Sequence, residues 1–444
     1  MKVYFDTLGC PKNITDSEIA MGLLEQCGHS IVSSPEEADA IVVNTCGFIE
    51  DAKKESISEI FSMADYKEQG KKLIVSGCLV QRYAKELYNE IPEADGFLGV
   101  NDYEKLPDLL TSLEENGQRF LANDDAPRDL SENRARKFGE HPYTSYLKIA
   151  EGCNNNCTYC AIPSIRGPYR SRTEADILEE ARALAKAGCK ELILIAEDVT
   201  CYGIDLPGRP TLAALLRQLC RIDGIQWIRL LYCYEDKITD ELIQTIAEED
   251  KICNYLDIPL QHTADPVLKA MKRRSTSRSI TETLKKLHDA IPDIHIRTTL
   301  IVGFPGETDD DFSVLMDFVE KEKFARLGVF TYSREEGTPA ADMADQIPES
   351  VSKERQDALM MEQMAISLAH NRELVGSTVE VMVDEIDDDG FCIGRTRYDA
   401  PEIDNSVIFT PVRPHSPGDI VNVEILEAFD YDLEGREVLN EFAK

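Results

Sequence analysis

Along the first hundred residues the apolar positions fall into short runs, each ending on a cysteine flanked by glycine. They read KVYFDTLGC (2–10), AIVVNTCG (40–47) and KLIVSGC (72–78). Between them lie segments with helical spacing, such as Asp16–Cys27 and Ile49–Ala64. Short apolar strands alternating with helices predict a parallel sheet built from βαβ units. In such sheets the functional crevice lies beyond the carboxyl ends of the strands, which is where Cys10, Cys46 and Cys78 fall. Residues 114–140 are polar and lose the period, and are expected to link two domains.

From 143 to 370 the alternation resumes. YLKIA (146–150), ELILIAED (191–198), WIRLLYCY (227–234), YLDIPLQH (255–262), IRTTLIVGF (296–304) and RLGVFTY (326–332) read as strands. Six βα units in succession predict a complete or partial (βα) barrel of TIM type, with its site at the C-terminal strand ends. The tail differs again. STVEVMVDEID, FCIGRTRY, SVIFTP, IVNVEILEAF and REVLNEF are short alternating strands separated by turn residues, the pattern of a small antiparallel β-barrel. The expected organisation is an α/β domain over 1–113, a linker over 114–140, a barrel over 141–370 and a terminal β-barrel over 371–444.

Charge narrows the choice of partner. The 444 residues carry 48 Lys and Arg against 82 Asp and Glu, a formal net charge of −34, and the tail from 372 onward has 18 acids against 6 bases. Tight nucleic-acid binding draws affinity from basic residues that displace counterions, so this balance argues against RNA and favours a basic protein. No run of about 18 apolar residues occurs, and the opening MKVYFDTLGC reads as a strand rather than a signal peptide. A cytoplasmic location without a membrane partner is expected. In that compartment 13 cysteines are metal ligands or buried small hydrophobes rather than disulfides.

The stretch EGCNNNCTYCAIP (151–163) places Cys153, Cys157 and Cys160 in a CxxxCxxC spacing after the first barrel strand. A structural zinc takes four ligands in a closed tetrahedron. Three thiolates can instead hold a four-iron cluster with one iron left open, able to chelate the amino-acid end of S-adenosylmethionine (SAM). A zinc completed by a distant His or Cys is the rival reading of the same trio.

EGCNNNCTYCAIPSIRGPYRSR resembles the signature of the radical SAM methylthiotransferases, and TLGCPKNITDSE, VVNTCGFIEDAKKES and IVSGCLVQRY resemble the N-terminal domain of that family. The tail resembles its TRAM module. GCPKN (9–13), DIPLQH (257–262) and RTRYDAPEID (395–404) resemble the branch that modifies an aspartate of small-subunit ribosomal protein S-twelve.

The resemblance implies two [4Fe-4S] clusters: a SAM-cleaving one on Cys153, Cys157 and Cys160, and an auxiliary one on Cys10, Cys46 and Cys78 that handles the sulfur. It places Tyr159 against the SAM adenine, Glu197 or Asp198 on the SAM ammonium, and Gly303 and Gly306 in a loop beside SAM. Glu197 departs from the Gln-Asp pair that the branch often shows. One SAM would serve as methyl donor. A second, cleaved reductively, would supply the radical that takes hydrogen from the aspartate β-carbon. The implied partners are ribosomal protein S-twelve, free or in the assembled subunit, an electron donor of flavodoxin or ferredoxin type, and a sulfur donor. Two other functions fit parts of the pattern: methylthiolation of a modified adenosine in tRNA, and iron–sulfur carriage or electron transfer. Cys201 and Cys233 lie near strand ends without motif support and read as structural.

Overall fold

The computed structural model describes all residues except 129, 131–135, 140, 141 and 440–444. Its first sheet contains β1 (Lys2–Thr7), β2 (Ser30–Ile31), β3 (Ala40–Thr45), β4 (Lys72–Gly77), β5 (Gly96–Leu98) and β6 (Phe120–Ala122). They run in the order β2-β1-β3-β4-β5-β6, all parallel. The crossovers are helices α1 (Pro11–Gln26), α2 (Glu50–Ala64), α3 (Cys78–Glu90) and α4 (Leu106–Asn116). β3 and β4 are apolar without alternation because helices cover both faces, and Ile41, Val42, Val43, Ile74 and Val75 are fully or almost fully buried.

The segment expected as a linker is more structured than its polarity suggested. Residues 114–116 end α4, and Phe120–Ala122 add the sixth strand, registering Phe97 opposite Leu121. Arg128 and Arg136 then run across the domain junction, bonding to Asp16 and Glu18 of α1. A strand of three residues is too short for its period to show in the sequence, and the remainder of that segment partly lies outside the described residues.

The six strands expected in the second domain are present: β7 (Thr144–Lys148), β10 (Glu191–Ile195), β11 (Trp227–Leu230), β12 (Ile252–Asp257), β13 (His295–Val302) and β14 (Arg326–Thr331). They form an open parallel sheet in the order β14-β13-β12-β11-β10-β7, so the barrel is partial. A two-stranded antiparallel ribbon, β8 (Ala150–Glu151) with β9 (Arg170–Ser171), pinches the base of the loop that carries the three-cysteine motif. The helices are α5 (Ile162–Arg166), α6 (Glu174–Lys186), α7 (Leu212–Leu219), α8 (Asp240–Glu248), α9 (Asp265–Ala270), α10 (Ser277–Ala290), α11 (Asp309–Glu322) and the long α12 (Glu349–Glu373).

The tail closes into a five-stranded barrel of β15 (Thr378–Ile386), β16 (Cys392–Thr396), β17 (Ser406–Thr410), β18 (Ile420–Ala428) and β19 (Asp432–Glu437). It is not wholly antiparallel, because β17 and β19 pair in parallel. The expected strand at 436–442 begins earlier, and its last residues lie outside those described.

This small barrel plugs the partial one. Met382 and Ala400 pack with Ile193, Ile195, Trp227, Cys253 and Tyr255 from the larger sheet. The RTRYDAPEID stretch is the fastening: Arg395 pairs with Glu191, Asp399 with Arg326 at 2.6 Å, and Asp404 accepts from the Tyr255 hydroxyl at 2.7 Å. Asp399 and Asp404 are therefore spent on domain docking, while Glu402 stays exposed.

Candidate metal centre

The N-terminal cysteines come together because α1 and three strand ends are stitched by one side chain. Asn13 donates from its amide to the carbonyls of Leu8, at 2.9 Å, and Thr45, at 3.1 Å, while its own oxygen lies 3.5 Å from Sγ of Cys78. Each contact lies on, or within two residues of, one of the three cysteines. Gly9 stands at φ 92°, and a Cβ there would meet Cβ of Cys46 at 2.9 Å. Gly77, at φ 100°, lets the carbonyl of Thr45 approach to where a Cβ would sit, 2.5 Å away. Only glycine satisfies both the left-handed backbone and the missing volume.

The second trio sits on the loop 152–169. Thr158 fixes it to the end of α9, donating from its amide to the Met271 carbonyl at 3.1 Å and from its hydroxyl to the Ala270 carbonyl at 2.9 Å. Asn155 donates to Asp198 at 2.8 Å. Asp198 also takes Lys237, the Thr200 hydroxyl at 2.5 Å and the Cys201 thiol at 3.3 Å. That carboxylate is fully occupied as an anchor for the cysteine loop, which leaves little capacity for a SAM ammonium.

Glu197 is the opposite case. Both of its carboxylate oxygens are buried and neither has a hydrogen-bond partner. Burial pushes its pKa up, against the pull of Lys12 and Arg166. It lies within electrostatic range of Cys153 and Cys160 as well as of Lys12. An orphaned buried carboxylate carries a cost of several kcal/mol unless something binds it (roughly 1–3 for an ordinary group, more for a charge).

Both trios suit iron–sulfur chemistry. Cys46, Cys78, Cys153 and Cys157 are buried, Cys10 and Cys160 are half-buried, and none forms a disulfide. Burial raises the Cys78 and Cys160 thiols to about 12 and Cys153 to about 11. Among the described residues no three His, Cys, Asp or Glu side chains converge on a single ion-sized point. A four-iron cluster offers each thiolate its own iron.

Between the trios runs a set of buried charges that sequence reasoning missed. Asp16 and Glu151 face Arg128, Lys148 and Arg166. Arg166 donates to Asp16 at 2.6 Å and Glu151 at 3.0 Å, and Lys148 reaches the same two carboxylates at 2.6 and 3.0 Å. Arg128 completes the knot at 2.6 and 3.2 Å. The second arm of Arg166 donates to Asn13 at 2.7 Å and lies 3.3 Å from Sγ of Cys78. The two trios are thus held in one rigid frame by a residue from each motif.

Lys12 belongs to the same space. Its Nζ lies 3.4 Å above the Tyr232 ring and 3.4 Å from the Ala196 carbonyl, and no carboxylate among the described residues comes within ion-pair distance. Burial opposes its charge, but the Tyr232 oxygen, Cys10 and Glu197 together raise its pKa above the ordinary lysine value. Tyr232 is held at φ 62°, a left-handed conformation that a bulky residue rarely adopts. Lys12 keeps donor capacity unspent, and the signal for it was already present in GCPKN, two residues after Cys10.

The remaining expected SAM contacts are placed as follows. Tyr159 packs against an apolar group of Ala264, Val267, Met271, Phe304 and Ala340. Gly303, at φ 75°, leaves room for Ser352 of α12, whose Oγ would lie 1.9 Å from a Cβ. Gly306 is a turn glycine at φ 81° whose amide donates to the Asp345 carbonyl. Packing and turn geometry account for both glycines without a ligand. In DIPLQH, Gln261 stands at φ 70° and His262 is buried with Nε2 unpartnered, its pKa lowered by burial to about 4, so the ring is neutral.

A cavity of about 800 Å³ opens beside the second trio, between Arg82 and Tyr83 of α3 and the Glu336–Pro339 turn, with Cys157 and Cys160 on its wall. The junction is braced there by Glu335, which pairs with Lys53 at 2.9 Å and Arg82 at 2.7 Å.

Comparison with known proteins follows this division of the chain. Residues 147–319 match the radical SAM superfamily, residues 2–99 match the family described as Uncharacterized protein family UPF0004, and residues 375–438 match the TRAM domain. The radical SAM methyltransferase TsrM from Kitasatospora setae superposes with a TM-score of 0.57 at 15% identity, covering 76% of each chain. The cobalamin-dependent SAM radical enzyme OxsB superposes with a TM-score of 0.51 at 14% identity, covering 82% of this chain and 56% of that one. The fold and its cysteine loop define a radical SAM enzyme, with the SAM and [4Fe-4S] cluster that this class uses.

The curated relatives narrow the class. The ribosomal protein uS12 methylthiotransferase RimO of Clostridioides difficile is 48% identical over 452 residues, covering 100% of both chains. That of Geobacter sulfurreducens is 48% identical over 438 residues, covering 98% of each. The chain belongs to the RimO family of methylthiotransferases. No helix among the described residues is long and apolar enough to cross a membrane.

Proposed function

We propose that the protein methylthiolates an aspartate side chain of ribosomal protein uS12, using one [4Fe-4S] cluster on Cys153, Cys157 and Cys160 and a second on Cys10, Cys46 and Cys78. The observation that supports this reading is the Arg166–Cys78 contact, which ties the two trios into one frame. When bound, SAM at the Cys153 centre supplies homolytic cleavage of an unactivated C–H bond, which acid–base chemistry cannot reach.

The chain's own residues supply the selectivity. Lys12, buried and with donors to spare, is placed to take the substrate carboxylate by charge-assisted hydrogen bonds. Glu197 takes the SAM ammonium in this reading, which its two free buried acceptors support. Arg128, Lys148 and Arg166 outnumber Asp16 and Glu151, so the knot leaves positive charge next to Cys78, where an anionic cluster would sit. The −34 surface attracts a basic ribosomal protein rather than tRNA.

The test is anaerobic. Reconstituted, reduced protein is given SAM with uS12 in one tube and unmodified tRNA in another, and both are read by mass spectrometry. A methylthio group on a uS12 aspartate, with tRNA unchanged, is the expected result. Modified tRNA would overturn the substrate and keep the chemistry.

A further inference from the structure

The central sheet does not close, and its two edges are β7 and β14. On β14, Arg326, Gly328 and Phe330 register with Arg297, Thr299 and Ile301 of β13, and strand alternation puts all six on one face. That face starts on the small barrel, where Arg326 pairs with Asp399 and Arg297 lies 3.3 Å from Asp404. It ends at Ile301, which packs in the group that holds Tyr159 of the cysteine loop. It is therefore the inner wall of a trough leading from the small barrel to the second trio. Phe330 is 52% exposed along it.

One residue of the small barrel reaches both edges of the gap. Glu402 lines a cavity of about 200 Å³ together with Ala325, Arg326 and Leu327 at the β14 edge. At the β7 edge it acts on Tyr146: burial raises the pKa of that hydroxyl most, and Glu402 raises it further, ahead of Tyr232. Tyr232 in turn carries the Lys12 ammonium over its ring. Two tyrosines thus connect Lys12, which has donors to spare, with Glu402.

Glu402 is equally unspent. It is exposed and makes no hydrogen bond or ion pair with any described residue. The cations beside it are engaged elsewhere: Arg326 holds Asp399 at 2.6 Å, and Arg297 lies between Asp404 and Asp257, at 3.3 and 3.9 Å. Glu402 also stands at φ 68°, a left-handed conformation uncommon for a residue other than glycine. The loop around it is pinned on both sides. Asp399 accepts the Thr396 hydroxyl at 2.6 Å, and Asp404 accepts the Ala400 amide at 2.9 Å and the Tyr255 hydroxyl at 2.7 Å. Strained backbone that surrounding contacts hold in place is characteristic of ligand clamps.

We infer that Glu402 is a specificity residue: it takes a lysine or arginine side chain that neighbours the target aspartate in the substrate polypeptide. This rests on the proposed reading that the substrate is uS12 and that Lys12 holds the target carboxylate. The trough then recognises two substrate side chains of opposite charge, one at each end, by charge-assisted hydrogen bonds. Ile403, 51% exposed beside Glu402, and Phe330 offer apolar surface to the backbone between them.

The experiment uses the full, cluster-loaded chain, reduced with dithionite and supplied with SAM. Initial rates of methylthio transfer are measured by mass spectrometry over a range of uS12 concentrations. The enzyme variants are Glu402→Gln, Glu402→Lys and, as a control, Glu427→Gln, which removes an exposed carboxylate from β18 of the same small barrel. The uS12 variants replace, one at a time, each lysine and arginine flanking the target aspartate by glutamate. Glu402→Gln is expected to raise KM for uS12 about fivefold or more while kcat stays within about twofold. SAM cleavage in the absence of uS12 stays at the wild-type rate, and Glu427→Gln follows the wild type throughout. One reversal in uS12 should raise KM for the wild type, change it little for Glu402→Gln and restore it for Glu402→Lys. A merely structural role for Glu402 does not produce that restoration.

An unchanged KM in Glu402→Gln, a loss confined to kcat, or the lack of any uS12 reversal that restores Glu402→Lys would overturn the inference. A wild type that cleaves SAM but leaves uS12 unmodified would instead sink the substrate reading on which the inference stands.

Discussion

The guanidinium of Arg166, six residues beyond the last cysteine of one trio, lies 3.3 Å from Sγ of Cys78 in the other. The same group is fully buried and bonded to Asp16, Glu151 and Asn13. Replacing it leaves two carboxylates partly uncompensated in a dry site. Arg166→Gln is expected to cost about 3–5 kcal/mol of stability, measured by urea unfolding of the metal-free chain. In the loaded protein, loss of one charge-assisted contact to a ligand sulfur is expected to lower the potential of the N-terminal centre by on the order of 60 mV, read by redox titration.

Asp16 sets an acid limit. Burial would raise its pKa, but Lys148, Arg166 and Arg128 outweigh that and hold it at about 2, and Glu151 is likewise pulled well below its ordinary value. A carboxylate with a depressed folded pKa contributes stability that is complete above the unfolded value, near 4, and is lost as pH falls towards the folded one. The junction between the first two domains is expected to loosen between about pH 4 and 2. Asp16→Asn is expected to flatten that dependence while lowering stability at neutral pH, as followed by unfolding across that range.

Lys12 is expected to separate an acidic from a neutral substrate. In the wild type, replacing the target aspartate of uS12 by asparagine should lower kcat/KM by on the order of 100-fold or more. In Lys12→Met that preference should shrink to within a few-fold, because the partner of the carboxylate is gone. Iron and sulfide content, determined alongside, reports whether the neighbouring Cys10 centre is still loaded. An unchanged Asp-over-Asn preference in Lys12→Met would remove Lys12 from substrate recognition.

The cysteines carry a pH signature of their own. Burial holds Cys78 and Cys160 at about 12 and Cys153 at about 11, so these groups are thiols at neutral pH and must lose protons to bind iron. Anaerobic reconstitution is expected to release protons and to accelerate from pH 7 to pH 9. Cys78→Ala should reduce iron from roughly eight to roughly four per chain, while Cys157→Ala should remove the other half.

Periodicity and spacing in the chain determined a great deal. The buried β3 and β4, the six strands of the central sheet and the alternating tail all follow local rules of pattern, and those rules act over windows of five to ten residues. The six cysteines were legible for the same reason: a CxxxCxxC loop is a local feature, and a cysteine at the end of each apolar run repeats a local position. Folding alone decided what depends on distant parts of the chain. β6 is recognised only by the sheet edge it completes, and the RTRYDAPEID stretch becomes a domain fastener only when Glu191, Arg326 and Tyr255 face it. Neither Lys12 nor Arg166 announces its burial, because a long basic side chain is ordinarily solvated and is driven inside only by carboxylates, sulfurs and a π-face brought from elsewhere. Asp198 and Glu197 make the point most directly. They are adjacent in sequence and alike in chemistry, yet the fold surrounds one with four donors and leaves the other with none.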